Sequence, residues 1–431
     1  MALTGRTGLV ALLAAVVVGV GVPSWLGIGL AGAVVLLGVL VDLACAGGVR
    51  GLTFVRSGDT VVRLGDRAAV GLTITNPGRR RVRGLLRDAW PPSAGAAESR
   101  HRVHIPAGER RSVLTPLLPT RRGDRKAARV AVRSLGPLGM AARQGSHDVP
   151  WTVRALPPFG SRKHLPARLA RLRQLDGRQA VRVRGQGTEF DSLREYVIGD
   201  DVRSIDWRAS ARAADVMVRT WRPERDRHIL IVLDTGRTSA GRVGAAPRLD
   251  AAMDAALLLA ALASRAGDRV DLLAYDRRVR ASVSGVSATE LMAALVNSMA
   301  PLEPALVEFD ARGMVTEVLG RARQRAFVVL LTGLDAAPLE QGLLPVLPVL
   351  AARHRLLIGA VADPRVAQMA RGRGDAQSVY EAAAAERTIA ERRHVAELLA
   401  KHGVQVVDET AGELPPALAD RYLALKADGT L

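Results

Sequence analysis

The run His228-Ile229-Leu230-Ile231-Val232-Leu233-Asp234 sets the architecture of the C-terminal half. Five consecutive apolar residues closed by a carboxylate read as a strand buried on both faces, the pattern of a parallel sheet covered by helices. The alternation then continues. A helix at residues 249–266 precedes a strand at 270–275, and further strands fall at 278–283, 326–331, 356–361 and 404–407. Helical segments at 289–299, 311–323, 339–352, 376–401 and 415–425 separate them. The expectation is an α/β doubly wound sheet over residues 227–431. Such sheets bind ligands beyond the carboxyl ends of their strands, where the strand order reverses, and Asp234 lies at that edge.

Upstream, residues 185–225 read GQGTEFDSLREYVIGDDVRSIDWRASARAADVMVRTWRPER. Asp200, Asp201 and Asp206, with Glu189, form a set of oxygen ligands suited to Mg²⁺ or Ca²⁺ and to metal-assisted hydrolysis. The other reading pairs these acids with Arg194, Arg203, Arg208, Arg212 and Arg219 in a bidentate network. Near balance of charge favours the second, an arginine-carboxylate clasp that secures this segment to the first strand, with Trp207 and Trp221 as packing anchors. The clasp also offers part of a partner surface. Ser210 has no histidine near it in sequence, so no nucleophile–base pair is legible.

Several of these positions carry a family resemblance. Gly187-Thr188-Glu189-Phe190, Leu193-Arg194-Glu195-Tyr196, Gly199-Asp200-Asp201, Val202-Arg203, Ile205-Asp206-Trp207, Ser210-Ala211-Arg212, Val218-Arg219 and Glu224-Arg225 together resemble the signature of the domain of unknown function 58 family (DUF58). Arg122-Gly123-Asp124, Ser134-Leu135-Gly136-Pro137-Leu138-Gly139 and Arg421-Tyr422-Leu423-Ala424-Leu425-Lys426 extend the resemblance over nearly the whole chain. It implies a membrane-anchored protein with a von Willebrand factor A-like domain and a MoxR-type AAA ATPase as partner. In such domains the first strand ends in Asp-x-Ser-x-Ser, which holds a divalent ion with a distant Thr and Asp. Here the run is Asp234-Thr235-Gly236-Arg237-Thr238, and Leu331-Thr332-Gly333-Leu334-Asp335 has Gly333 where an Asp is expected. Asp234, Thr238 and Asp335 are therefore the candidates for a degenerate Mg²⁺ site, with Arg237 adding an opposing charge. The expected function is a non-enzymatic scaffold. The alternatives are a divalent-metal-dependent ligand-binding module and a metal-assisted hydrolase.

Toward the N-terminus, residues 9–22 and 25–46 are apolar runs split by Pro23-Ser24, which reads as a transmembrane helical hairpin over residues 1–50. The second is long enough to span. The first, counted from Thr7, rises about 24 Å against a hydrocarbon core of about 30 Å, so it recruits Ala2 and Leu3, thins the bilayer or tilts. Arg6 on one flank and Arg50, Arg56 and Arg63 on the other place both ends in the cytoplasm, the soluble domains following. Asp42 reads as tolerated at the inner helix end. Residues 51–156 carry short alternating segments at 61–64, 69–75, 81–86, 102–105, 111–114, 128–132 and 151–156, separated by turn signals such as Asn76-Pro77-Gly78, the pattern of a β-sandwich. Residues 157–184 read as a linker helix with leucines at 169, 172 and 175, and residues 185–226 as the signature segment.

Composition sets the outer bounds. The formal net charge of +19 is almost all arginine, since Lys126, Lys163, Lys401 and Lys426 are the only lysines in 431 residues. Only 3% of residues are aromatic and none interleave with a basic run, which argues against nucleic-acid binding. The single Cys45 rules out an intrachain disulfide.

Overall fold

The computed structural model describes every residue except 22, 183–188, 199, 214 and 223–226, with backbone alone at 176–182, 189–192 and 220–222. The chain divides into two compact units, Met1–Pro158 and Phe159–Leu431. The expected linker and signature segments both fall in the second.

The first unit opens with β1 (Ala2–Leu3), α1 (Gly5–Gly21) and α2 (Trp25–Cys45). With 21 residues, α2 is long and apolar enough to cross a membrane, and only 6% of its apolar window is buried. The 17-residue α1 is shorter, rising about 26 Å. Ala2 and Leu3 do not lengthen it; they pair as a strand with Ala142 and Ala141.

Ten strands follow: β2 (Thr53–Gly58), β3 (Val61–Arg63), β4 (Ala68–Thr75), β5 (Val82–Asp88), β6 (Arg100–Ile105), β7 (Arg110–Leu117), β8 (Gly123–Lys126), β9 (Arg129–Leu135), β10 (Ala141–Asp148) and β11 (Thr152–Leu156). They form sheets ordered β1-β10-β9-β5-β6, β2-β4-β7 and β3-β11-β8. Strands β2, β8 and β10 are not among the expected segments; GDRK of β8 and AARQGSHD of β10 carry too few apolar residues to show a strand period. Along β5, burial alternates at every residue, placing Val82 and Leu86 in a core with Leu72, Ile74, Ile105 and Val132. Arg56 is buried. It pairs with Asp88 at 2.6 Å and lies 5.3 Å from the centre of the Trp90 ring.

Asp42 is more than tolerated. It is fully buried, and its carboxylate accepts the backbone N–H groups of Leu138, Met140 and Ala141. A Cβ on Gly136 would stand 2.4 Å from Asp42 Oδ1, so only glycine admits the carboxylate there. At the start of α1, the hydroxyls of Thr4 and Thr7 donate to the carbonyl of Met140. One turn between β9 and β10 thus holds both outer ends of the helix pair.

The second unit begins with α3 (Leu165–Arg182), then the hairpin of β12 (Glu189–Glu195) and β13 (Met217–Arg222), whose excursion carries α4 (Trp207–Ala213). After it come β14 (His228–Asp234), α5 (Arg237–Ala240), β15 (Arg242–Val243), β16 (Ala246–Pro247), α6 (Arg248–Arg265), β17 (Arg269–Tyr275), β18 (Val279–Val283), α7 (Leu291–Met299), α8 (Ala311–Arg321), β19 (Ala326–Leu331), α9 (Ala336–Pro338), α10 (Leu347–Ala351), β20 (Arg355–Ala362), α11 (Pro364–Met369), α12 (Ala376–Lys401), β21 (Gln405–Thr410) and α13 (Leu414–Ala427). The single helix expected at 339–352 is broken, since Pro345 and Pro348 cannot continue an unbroken backbone ladder.

The six-stranded sheet runs β18-β17-β14-β19-β20-β21, parallel throughout except for antiparallel β18. Counted from β14 in chain order this is 3-2-1-4-5-6, so the order reverses between β14 and β19. Leu230, Val232, Val328, Leu330 and Ile358 face residues of α8, α10 and α12. Their strand neighbours point the other way, where α6 and α13 pack. The helix α3 is docked and is no free linker: Ser161 just before it donates its N–H and hydroxyl to Asp254 of α6, and Arg168 pairs with Asp420 of α13 at 2.7 Å.

Candidate functional site at the carboxyl edge of the sheet

Asp234 ends β14 at the point where the strand order reverses. It is 1% exposed. Its Oδ1 accepts the N–H of Gly236 at 2.7 Å, and its Oδ2 accepts the hydroxyls of Thr238 and Thr332, each at 2.6 Å. Burial pushes the Asp234 carboxyl above its ordinary value of 3.8, and these three donors only partly oppose that rise. Thr332 follows β19, so one carboxylate ties together the two strands that flank the reversal. Thr332 is not among the expected site residues; its signal in the sequence is a hydroxyl directly after a strand that pairs with β14.

Around this centre the backbone is tightly tied. Ala305 donates its N–H to Thr235 at 2.7 Å, and Arg237 donates to Val307 at 2.8 Å. These bonds fix the loop at residues 300–310 beside the strand end. From it Leu306 projects, 82% exposed. Arg237 pairs with Glu308 at 2.8 Å, so its charge is compensated. Just past the neighbouring strand β17, Asp276 is buried, which raises its carboxyl. The N–H groups of Arg277 and Arg278 and the Arg280 guanidinium outweigh this and hold it below the usual range.

Asp335 is near Thr238 but turned elsewhere. A Cβ on Gly333 would lie 2.9 Å from Asp335 Oδ2 and 3.2 Å from Thr238 Cβ, so glycine lets the two approach. Asp335 is 3.6 Å from the Arg248 guanidinium. The trio Asp234, Thr238 and Asp335 does not fit a resident divalent ion. One carboxylate is buried and saturated by neutral donors, with its affinity for protons raised, and the other faces an arginine.

The signature residues form a second, separate constellation on the β12–β13 hairpin. Asp200 accepts from Arg194 at 2.5 Å and from the N–H of Val197 at 3.0 Å. Asp206 is a hub: it accepts the N–H groups of Arg208 and Ala209, each at 3.0 Å, and the Arg219 side chain at 2.8 Å. The Ala209 N–H first, then Arg219, hold its carboxyl below the ordinary 3.8. Asp201 caps the short turn Val202–Ser204 through the N–H of Arg203 at 3.0 Å. Ser210 donates to the Asp206 carbonyl and accepts from the N–H of Met217, both at 2.8 Å, while Tyr196 donates its N–H to Val216 at 2.7 Å. Gly199 and the side chain of Glu189 lie outside the described residues, as does that of Trp221.

Two expectations change here. The ion pairs tie the excursion to its own hairpin, Asp200 to Arg194 of β12 and Asp206 to Arg219 of β13; among the described residues none ties it to β14, and none puts a carboxylate within ion-pair distance of Arg203, Arg208 or Arg212. Trp207 is 70% exposed and is not a packing anchor.

A family model described as a protein of unknown function, DUF58, matches residues 192–416. Proteins from Mycobacterium bovis and Mycobacterium tuberculosis, both titled uncharacterized, are 27% identical over 183 residues. That alignment covers 42% of this chain and only 57% of each relative's own length. Among solved structures, the CARDB domain of a Pyrococcus furiosus protein, crystallised with di-metal ions, is 16% identical, covering 26% of this chain and 91% of that one. Its TM-score of 0.18 is too low to bear on fold or function.

Proposed function

We propose, for a chain that belongs to the DUF58 family of proteins of unknown function, that it is a membrane-anchored, non-enzymatic docking scaffold. Its second unit acts as a von Willebrand factor A-like platform whose partner is a MoxR-type AAA ATPase. The observation that carries this reading is the Asp234 edge: a saturated, buried carboxylate braces two strands, and backbone hydrogen bonds at Thr235 and Arg237 fix beside it the loop from which Leu306 projects, at the place where open α/β sheets bind. An exposed apolar side chain on a braced loop, rimmed by the Arg237–Glu308 pair, is the make-up of an interface anchor. Asp200 and Asp206 are committed to arginines and backbone N–H groups, and a carboxylate held below its usual range is a weak proton shuttle at neutral pH, which speaks against hydrolysis.

For the anchor, α2 exposes Leu26, Leu30, Leu36, Leu37 and Leu40, which suits a lipid surround better than a core helix. The β9–β10 turn grips the start of α1 and the end of α2, which supports a hairpin with both ends on the side of the β-domain. Arg50, Arg56 and Arg63 make that side cytoplasmic.

Co-purification from detergent-solubilised membranes under nucleotide-trapping conditions tests the partner. The ATPase is expected with the wild-type chain and is lost with Leu306→Asp. Repeated recovery without any ATPase overturns the reading. Adding Mg²⁺ to the full chain is expected to leave its melting temperature unchanged; a rise that Asp234→Asn abolishes would restore the metal-dependent alternative.

A further inference from the structure

Between β12 and β13 the chain makes an excursion at residues 196–216 that exposes large apolar side chains in succession. Ile198 is 96% exposed, Trp207 70% and Val202 65%. Among the described residues no element packs over them. The excursion is held by its own Asp206 hub, by the Arg194–Asp200 pair and by the Ile205–Val218 bridge. A two-stranded hairpin with an uncovered apolar surface is marginal in water, and several apolar groups at this exposure on one short excursion mark a contact.

The charges define what covers it. On α4, Trp207 and Ala211 lie one turn apart along one stripe, with Arg208 and Arg212 one turn apart on the adjacent stripe. Arg203 stands beside Val202. These three guanidinium groups are exposed and have no carboxylate at ion-pair distance among the described residues. Tryptophan and arginine together are the residue types that dominate binding energy at protein interfaces, the ring filling a pocket and the guanidinium meeting acids at its rim. An anionic lipid surface fits less well, because a continuous plane of phosphate meets the exposed Asp201 and Asp215 as well as the arginines, whereas a pocket rim can set its carboxylates opposite Arg208 and Arg212 alone.

We propose that this excursion is a second docking element, which inserts Trp207, with Ile198 and Val202, into an apolar pocket of a protein partner whose rim carries carboxylates for Arg208 and Arg212. It goes beyond the Asp234 edge, being built from other elements and other residues.

The test uses the full chain in its native membrane, with a photoreactive side chain at position 198 and the adduct mapped to the residue. The expected adduct is to a protein, at an apolar site within reach of Asp or Glu. In the Arg208→Glu, Arg212→Glu double variant its yield falls about tenfold, and it returns when the mapped carboxylates are changed to lysine. An unchanged melting temperature shows that the double variant folds. Adducts to lipid alone, to a second copy of this chain, or to no molecule overturn the proposal, and so does a protein adduct that the charge reversal leaves intact. Leu306→Asp, run in parallel, separates the two surfaces: loss of ATPase there with the 198 adduct retained leaves this element standing, and the reverse result leaves the edge standing.

Discussion

At Asp234 a single side chain does the work of a cross-brace, and its energetics follow from how many donors it saturates. Thr332→Val keeps the side-chain volume but deletes one of three donors, at a cost of about 1 kcal/mol, read as a melting temperature lower by about 2–4 °C. The pH dependence has a definite sign. Because burial raises the folded-state value above 3.8, the stabilising contribution of the protonated form is complete below 3.8 and is lost as pH rises through the folded value. Asp234→Asn cannot ionise, so its stability deficit relative to wild type is expected to narrow as pH rises from about 4 to about 7, measured by urea denaturation across that range. His354 runs the other way. Its Nδ1 accepts the N–H of Ala326 at 3.3 Å, and burial, then Arg353 and His228, hold the imidazole below 6.5. The unfolded chain takes up a proton below 6.5 that the native state refuses, so stability is present above 6.5 and falls as pH drops through the folded value. His354→Asn keeps an acceptor without the titration, and the same denaturation series should show a flatter acid limb.

At the scale of elements, what looks like a linker in the sequence is a docked helix. Leucines at 169, 172 and 175 announce an apolar stripe, but they do not say what it packs on. The contact is made by Asp254, ninety-three residues from Ser161, whose N–H and hydroxyl it accepts. Asp254→Ala leaves the Ser161 N–H unsatisfied at a half-buried site while the hydroxyl keeps the carbonyl of residue 254, a loss of about 1–3 kcal/mol. Hydrogen exchange should then rise in residues 160–171 while β14 stays protected. The signature hairpin shows the converse. Trp207 reads as a packing anchor because tryptophan is usually buried, yet α4 is seven residues long and among the described residues no layer covers its outer stripe. A sequence records which residue is apolar; whether another element lies over it is settled by the rest of the chain.

Across the first unit, Asp42 couples the helix pair to the β-domain. Asp42→Ala strands three backbone N–H groups, those of Met140 and Ala141 buried, and Gly136→Ala forces a Cβ to within 2.4 Å of that carboxylate. Each change is expected to cost about 1–3 kcal/mol and to expose residues 136–141 to limited proteolysis. Reporter fusions should show membrane insertion undisturbed, because the apolar length of α2 is unchanged. A reporter pattern that inverts in these variants would show instead that Asp42 sets topology.

The sequence by itself determined the periodicities: two apolar helices, alternating strands after them, and a βαβ series whose first strand ends in Asp234. These are legible because burial on one face or both writes itself into local residue order. Tertiary structure alone decided the rest. Strand order put Thr332 beside Asp234, a turn nearly a hundred residues away buried Asp42, and the absence of a covering layer among the described residues left Trp207 exposed. Each depends on which distant segments meet. Hydrogen bonds and packing are set by distance in space, and one chain's order does not encode that distance locally.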